Sequence, residues 1–179
     1  MTETATSSGK EPIQIDELNQ NFKNEVTKIS GGENIKRCFA CGTCSVICPV
    51  FAVEERYDPR KIIRMMILGM EDEVLQSELI WLCSGCYSCY ELCPRDVKLT
   101  NVMSAIRQIA VTRGFLPPGM KATVEQLEKF GRLTEVSEFE NKVRTKKDIP
   151  ELKEDIPEII ALIKKMGTRK AIEGGSSDE

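Results

Sequence analysis

Apolar side chains recur along this chain at three- and four-residue steps, the period of a helix with one buried face. Ile15, Leu18, Phe22, Val26 and Ile29 form the first such stripe. They predict a helix with Asp16 as N-cap and Gly31-Gly32 as its stop. A second helix follows Asp58, a side chain suited to an N-cap, with Pro59 at the first helical position, where its missing N–H costs nothing. Its inward face is Ile62, Ile63, Met66 and Ile67. A third is capped by Thr100 or Asn101, turns Val102, Met103, Ile106, Ile109 and Ala110 inward, and stops at Gly114. The sequence FLPPG at 115–119 breaks the chain. Beyond it Val124, Leu127 and Phe130 share a face within residues 120–131. Ile159, Ile160, Ile163 and Met166 do so within 155–167, where Pro157 lies near the helix start.

Two runs interrupt this pattern: CFACGTCSVICP at 38–49 and CSGCYSCYELCP at 83–94. Both spell C-x2-C-x2-C-x3-C-P, through Cys38, Cys41, Cys44, Cys48 and Pro49, and through Cys83, Cys86, Cys89, Cys93 and Pro94. The repeat spacing is 45 residues, and each run has a short helical approach, a connector and a capped helix. Two such units in tandem predict a pseudo-two-fold domain. A compact β-type ferredoxin would need alternating β-branched strands between its motifs, and the inter-motif segment instead reads as helical.

Thiolates are the ligands that iron–sulfur clusters require, and this spacing is that of two-cluster ferredoxins. Three thiolates two residues apart can curl around one cubane. The fourth, offset by three residues and followed by proline, is directed to the other cluster. The expected ligation is therefore crossed. Cys38, Cys41, Cys44 and Cys93 hold one 4Fe–4S cluster, and Cys83, Cys86, Cys89 and Cys48 hold the second. The fold class expected is mostly α: a helical two-cluster ferredoxin domain with a pseudo-two-fold repeat and a helical C-terminal extension. The boundaries are a flexible segment at 1–14, the cluster domain at 15–116, an extension for packing or partner docking at 117–167, and a flexible tail at 168–179.

Composition narrows the alternatives. The chain has no histidine, which removes imidazole bases, Cys/His zinc sites, Rieske ligation and His-bound haem. A zinc ribbon uses two separated C-x2-C pairs, unlike three cysteines at one spacing. Charged residues make up 30% and aromatics 6%, which suits a modest helical core with much solvated or partner-facing surface. A net charge of −3 gives no support for nucleic-acid binding or an anionic-membrane surface. The basic run KVRTKK at 142–147 reads as a solvated loop or helix end. The polar N-terminus lacks a secretory apolar region, and the longest nearly apolar run, MMILGM at 65–70, is too short to span a bilayer. The expected compartment is the cytosol, where cysteine clusters bind metals or serve redox chemistry more often than they form disulfides.

No nucleophile, phosphate-binding loop or open metal position accompanies the cysteines, so the chain reads as a conductor of electrons with no catalytic residue of its own. Tyr87 and Tyr90 are expected to pack, or to shield the second cluster. Trp81 is expected in the core, and Arg60, Lys61 and Arg64 on a solvated helix face.

The chain resembles the small, C-type iron–sulfur subunit of the CoB–CoM heterodisulfide reductase of methanogens and related anaerobes. The resemblance is carried by the stretches around RCFACGTCSVICP, by DPRKIIRMMILG and by IWLCSGCYSCYELCP, within residues 21–114. It implies a helical ferredoxin domain like that of the iron–sulfur subunit in succinate dehydrogenase, with all eight cysteines as ligands. It further implies that electrons pass from a large flavin- and cluster-containing subunit, through this chain, to the catalytic CCG-type subunit, which reduces the CoM-S-S-CoB heterodisulfide. The CCG-type sequences of that catalytic partner are absent, so no substrate is expected to be reduced here. The resemblance favours the soluble, flavin-bifurcating form of the complex, fed by a hydrogenase or formate dehydrogenase. Two other readings fit the same cysteines. One is the cluster subunit of another flavin-linked oxidoreductase of succinate or lactate type; the other is a non-redox zinc scaffold.

Overall fold

The computed structural model describes residues 13–166, except for the side chain of Pro118. The flexible tail expected at 168–179, and all but the last two residues of the N-terminal segment, lie outside the described residues. Among the described residues the chain is helical and has no strand. The nine α-helices described are α1 Phe22–Lys28, α2 Thr43–Val46, α3 Pro59–Leu68, α4 Glu71–Leu75, α5 Ser88–Glu91, α6 Leu99–Thr112, α7 Pro118–Phe130, α8 Glu138–Thr145 and α9 Pro157–Met166. Single 3-10 turns at Ile15–Glu17, Ile35–Arg37 and Glu78–Trp81 complete the set.

The core is built around α6, which buries Leu99, Val102, Met103, Ala105, Ile106, Ile109 and Ala110. Helices α1, α4 and α5 and the turn at Glu78–Trp81 pack on it, while α3 packs against α1, α2 and α4. Phe22, Val26, Ile35, Ile62, Ile63, Met66, Val74, Leu75 and Ile80 fill the space between them. An ionic cluster fastens the rim. Arg113, at the C-terminus of α6, pairs with Glu25 of α1 at 2.7 Å and also with Glu71 of α4. The Asn19 side chain donates to the same Glu71.

Helix α3 starts where the sequence places it. The Asp58 carboxylate accepts from Arg60 N–H at 3.0 Å and Lys61 N–H at 3.2 Å, Pro59 occupies the first position, and Ile62, Ile63 and Met66 are buried. Ile67 is only half-buried.

Three elements differ from expectation. The first helix begins at Phe22, and Asp16 sits inside a 3-10 turn with Ile15 71% exposed. Here tertiary contacts override periodicity: Asn19 N–H donates to Gly69 O at 3.0 Å, which draws the chain out of helical form before Phe22. Helix α6 begins at Leu99, after Lys98 in the left-handed region, so neither Thr100 nor Asn101 is its cap. The Thr100 hydroxyl faces the Cys89 sulfur at 3.5 Å instead. In the extension, α7 packs on α9, and Ile156 N–H donates to Phe130 O at 2.9 Å. Met166, expected on the inward face of α9, is 71% exposed, because the packed side of that helix runs through the half-buried Ile160 and Ile163. Helix α8 is an addition to the sequence reading. Its capping box (Glu140 N–H to Ser137 Oγ, Ser137 N–H to the Glu140 carboxylate) is written in the sequence as SEFE. The basic run at 142–147 is its C-terminal end and the turn beyond.

Candidate metal centres

The two cysteine runs take the same backbone course. Each has left-handed residues two and four positions after its first cysteine: Ala40 and Gly42 in the first run, Gly85 and Tyr87 in the second. A single helical turn follows, α2 carrying Cys44 and α5 carrying Cys89, and the two turns pack together. Only one glycine serves each run, at different places, although a non-glycine residue in this region costs about 1–2 kcal/mol. The loop conformation is therefore imposed by its surroundings at Ala40 and at Tyr87.

This course gathers the sulfurs around two pockets. One encloses about 400 Å³ of atom-free space, partly continuous with solvent, and is lined by Cys38, Cys41, Cys44 and Cys93 together with Ala40, Gly42, Thr43, Arg60 and Val97. The other, of about 350 Å³, is lined by Cys48, Cys83, Cys86 and Cys89 together with Tyr57, Ser88, Thr100 and Met103. Cys89 and Leu99 border both, so the two pockets share a wall. All eight cysteines are free thiols. Among the described residues no three His, Cys, Asp or Glu side chains converge on a position for one metal ion. A cubane takes each thiolate at a separate iron, so its ligands stand around a cavity and not at one point. The donor set and the pockets thus fit an iron–sulfur cluster in each.

Hydrogen-bond donors surround the sulfurs. Ala40 N–H donates to Cys38 Sγ and Val97 N–H to Cys93 Sγ, both at 3.4 Å. Thr43 Oγ1 lies 3.3 Å from Cys41 Sγ, and Ser88 Oγ, at the matching position of the second run, 3.5 Å from Cys86 Sγ. These hydroxyls lower the Cys41 and Cys86 pKa values, while burial raises Cys89 and pushes Cys44 up to about 11. The exposed pair therefore deprotonates more readily than the buried pair.

A model of the 4Fe-4S dicluster domain family matches residues 34–97, which span both runs. Among curated proteins, a C-type iron–sulfur subunit of the CoB–CoM heterodisulfide reductase of Methanocaldococcus jannaschii is 36% identical over 174 residues, 89% of this chain and 92% of the relative. The chain belongs to the family of C-type heterodisulfide reductase subunits. The C-type subunit of the H(2)/formate:CoB-CoM heterodisulfide,ferredoxin reductase of Methanococcus maripaludis is 37% identical over 139 residues, 74% of each chain. That of the H(2):CoB-CoM heterodisulfide,ferredoxin reductase of Methanothermobacter thermautotrophicus is 32% identical over 158 residues, 83% of this chain and 84% of the relative.

Beside the two cysteine runs the structure also places several residues from other elements. Trp81 is half-buried, and Arg107 of α6 lies against its ring, 5.8 Å from the centroid. The same guanidinium donates to Ile80 O at 2.8 Å and to Cys83 O at 2.9 Å, tying the start of the second run to the central helix. Tyr87, 51% exposed, meets Tyr90 edge-on at 5.7 Å, and Lys98 Nζ lies 5.5 Å from the Tyr90 ring centroid. Arg60 reaches the rim of the first pocket, while Lys61 and Arg64 stay on the solvated face of α3. A hydroxyl two residues after the second cysteine of each run is a signal the sequence does carry, as CGTC and CYSC. Tyr57 and Arg107 carry none, because their relation to Cys83 exists only after folding.

Replacing Arg107 with methionine keeps most of the apolar stem and removes both donors. Two charge-assisted bonds of about 1.5–3 kcal/mol each then disappear from one loop. The expected outcome is faster loss of iron from one of two centres. Anaerobic chelator challenge, followed by iron release against time, should turn from a slow process into a biphasic one. A trace identical to wild type would contradict the tie.

Proposed function

We propose that this chain is an electron-relay subunit that holds two 4Fe–4S clusters and carries out no bond-making chemistry itself. The observation that carries the reading is the gathering of the eight sulfurs around two adjoining pockets. Each pocket is lined by the first three cysteines of one run and the fourth of the other, with Cys89 in the wall between them bordering both. Such clusters, when bound, supply reversible one-electron chemistry. In this reading Cys38, Cys41, Cys44 and Cys93 are the ligands of the first site, and Cys83, Cys86, Cys89 and Cys48 those of the second. The protein's part is to hold the thiolates at fixed positions, to aim N–H and O–H donors at them, and to back them with apolar side chains such as Val97, Leu99 and Met103. Residues 15–116 form the cluster-bearing domain, and 117–167 the extension.

The relatives' names supply the setting. They are subunits of reductases that act on the CoB–CoM heterodisulfide, two of them named also for ferredoxin and for H(2) or formate. The corresponding role here is to accept electrons from a large flavin- and iron–sulfur-containing subunit and deliver them to a catalytic CCG-type partner, where the heterodisulfide is reduced. A hydrogenase or formate dehydrogenase would stand upstream. No helix among the described residues is long and apolar enough to cross a membrane, which fits a cytoplasmic complex. In the extension, Leu133, Phe139, Leu162 and Met166 are exposed, which suits docking against partner subunits.

Anaerobic purification tests the reading. The expected product is brown, with about eight iron atoms and about eight sulfides per chain. Reduction with dithionite should give reversible low-temperature EPR signals, and the flavin-containing and CCG-type partners should co-purify from the native source. A colourless chain stoichiometric in zinc would overturn it.

A further inference from the structure

The two sites share a backbone but not their hydroxyl groups. In the first run, Thr43 faces Cys41, and Cys38 has only the Ala40 N–H. The Ser45 hydroxyl, beside Cys44, donates to the Asp58 carboxylate and accepts from Arg60 N–H at 3.1 Å, and it also acts on the Cys44 sulfur, lowering its pKa against the larger opposite effect of burial. In the second run every one of the first three cysteines has a hydroxyl beside it. Ser88 lies beside Cys86 and Thr100 beside Cys89, each at 3.5 Å, and Tyr57 lines the same pocket as Cys83, its phenol pKa raised first by burial and then by that sulfur.

Ser88 adds no asymmetry, because Thr43 is its counterpart. Tyr57 has no counterpart. It comes from the connector between the first run and α3, is 2% exposed, and lines the pocket of Cys48, Cys83, Cys86 and Cys89 alone. Its ring is part of the hydrophobic core, so water does not compete for the phenol hydrogen.

We propose that Tyr57 sets the reduction potential of the second centre by donating its hydroxyl hydrogen to the Cys83 sulfur. The inference rests on the reading of the cysteines as cluster ligands. Reduction brings one electron, and the added negative charge is shared by the thiolate sulfurs. A donor aimed at a thiolate binds the more negative state more strongly, and burial enlarges the difference. The hydroxyl therefore favours the reduced state and raises the potential. No proton changes hands, since the ordinary phenol pKa is about 10 and the hydrogen stays on Tyr57. The electron comes from the external reductant, dithionite in the test below. Tyr57 touches a ligand and not the metal, so it acts as a positioning residue.

The experiment is an EPR-monitored redox titration of the anaerobically purified full chain, wild type against Tyr57→Phe, with iron and sulfide measured on the same samples. With iron unchanged, one midpoint potential should fall, weakening reduction of that centre by about tenfold, about 59 mV for a one-electron couple. The other midpoint should stay in place. The fall should persist in a Cys93→Ala background and vanish in a Cys48→Ala background. Two unchanged midpoints in an iron-replete variant overturn the inference, as does a rise, or a fall at the centre that survives Cys48→Ala. Should Tyr57→Phe lose iron, fluorotyrosine gives the opposite change without removing the ring. Tyr57, Tyr87 and Tyr90 are the chain's three tyrosines, so in a Tyr87→Phe/Tyr90→Phe chain only position 57 is labelled. The more acidic phenol should then raise one midpoint, and no rise overturns the inference. Failure of the underlying reading looks different: the wild type itself would hold no iron.

Discussion

Cys93→Ala is expected to lower the iron content of the anaerobic protein from about eight atoms to about four, and the atoms lost are those of the first run's centre. Cys93 is the last cysteine of the second run, yet it borders the pocket of Cys38, Cys41 and Cys44 and is not part of the other. Val97 N–H holds its sulfur from behind, and Asp96 pairs with Arg37, just before Cys38, at 3.7 Å. That pair is exposed on both sides and adds little to stability, but it marks how closely the end of the second run approaches the start of the first. Double replacements read the crossing without any spectral assignment. Cys93→Ala with Cys38→Ala damages one centre twice and should retain about four irons. Cys93→Ala with Cys83→Ala damages both and should retain almost none. The reverse ranking of these two variants would show that each run keeps its own fourth cysteine.

Gly69→Ala is expected to be strongly destabilising, although it lies outside the pockets. Gly69 ends α3 at φ +89°, where a side chain costs about 1–2 kcal/mol. It also abuts the incoming chain. An added Cβ would stand 2.3 Å from Asn19 O and 2.7 Å from Asn19 C, both backbone atoms with little room to retreat. Relief means breaking the Asn19 N–H to Gly69 O bond that sets the start of α1. Overpacking of this kind costs typically about 1–3 kcal/mol. Together the two effects predict a Tm at least about 4 °C lower for the loaded protein. Gly69→Asn separates them. Asparagine tolerates the left-handed backbone but still carries a Cβ, so a clash-dominated site gives no recovery. A Tm within about 2 °C of wild type for Gly69→Ala would mean that α1 is not seated on the end of α3.

The dicluster motif was legible in the chain because cysteine spacing is a local property. Three thiolates two residues apart, and a fourth three residues on, belong to one loop whatever surrounds it. Helix α3 was legible for the same reason, since Asp58, Pro59 and the stripe through Met66 act within two or three turns. The start of α1 was not, because the periodic pattern from Ile15 onward is overruled by Gly69, fifty residues later in the chain. Thr100 shows the same limit at a single side chain. Its type suits an N-cap, and only the approach of α5 turns its hydroxyl toward Cys89.

By itself, then, the sequence determined the helical class, the spacing of the eight cysteines in two runs and the kinship with the small heterodisulfide reductase subunit. Tertiary structure decided how the runs meet: α2 lies against α5, the two pockets share Cys89, and Tyr57, Thr100 and Arg107 arrive from separate elements around the second run. The physical reason is that thiol chemistry and helical periodicity are fixed by neighbours along the chain. The surroundings of a sulfur, and with them the ease of adding an electron, are fixed by whatever the core packs beside it.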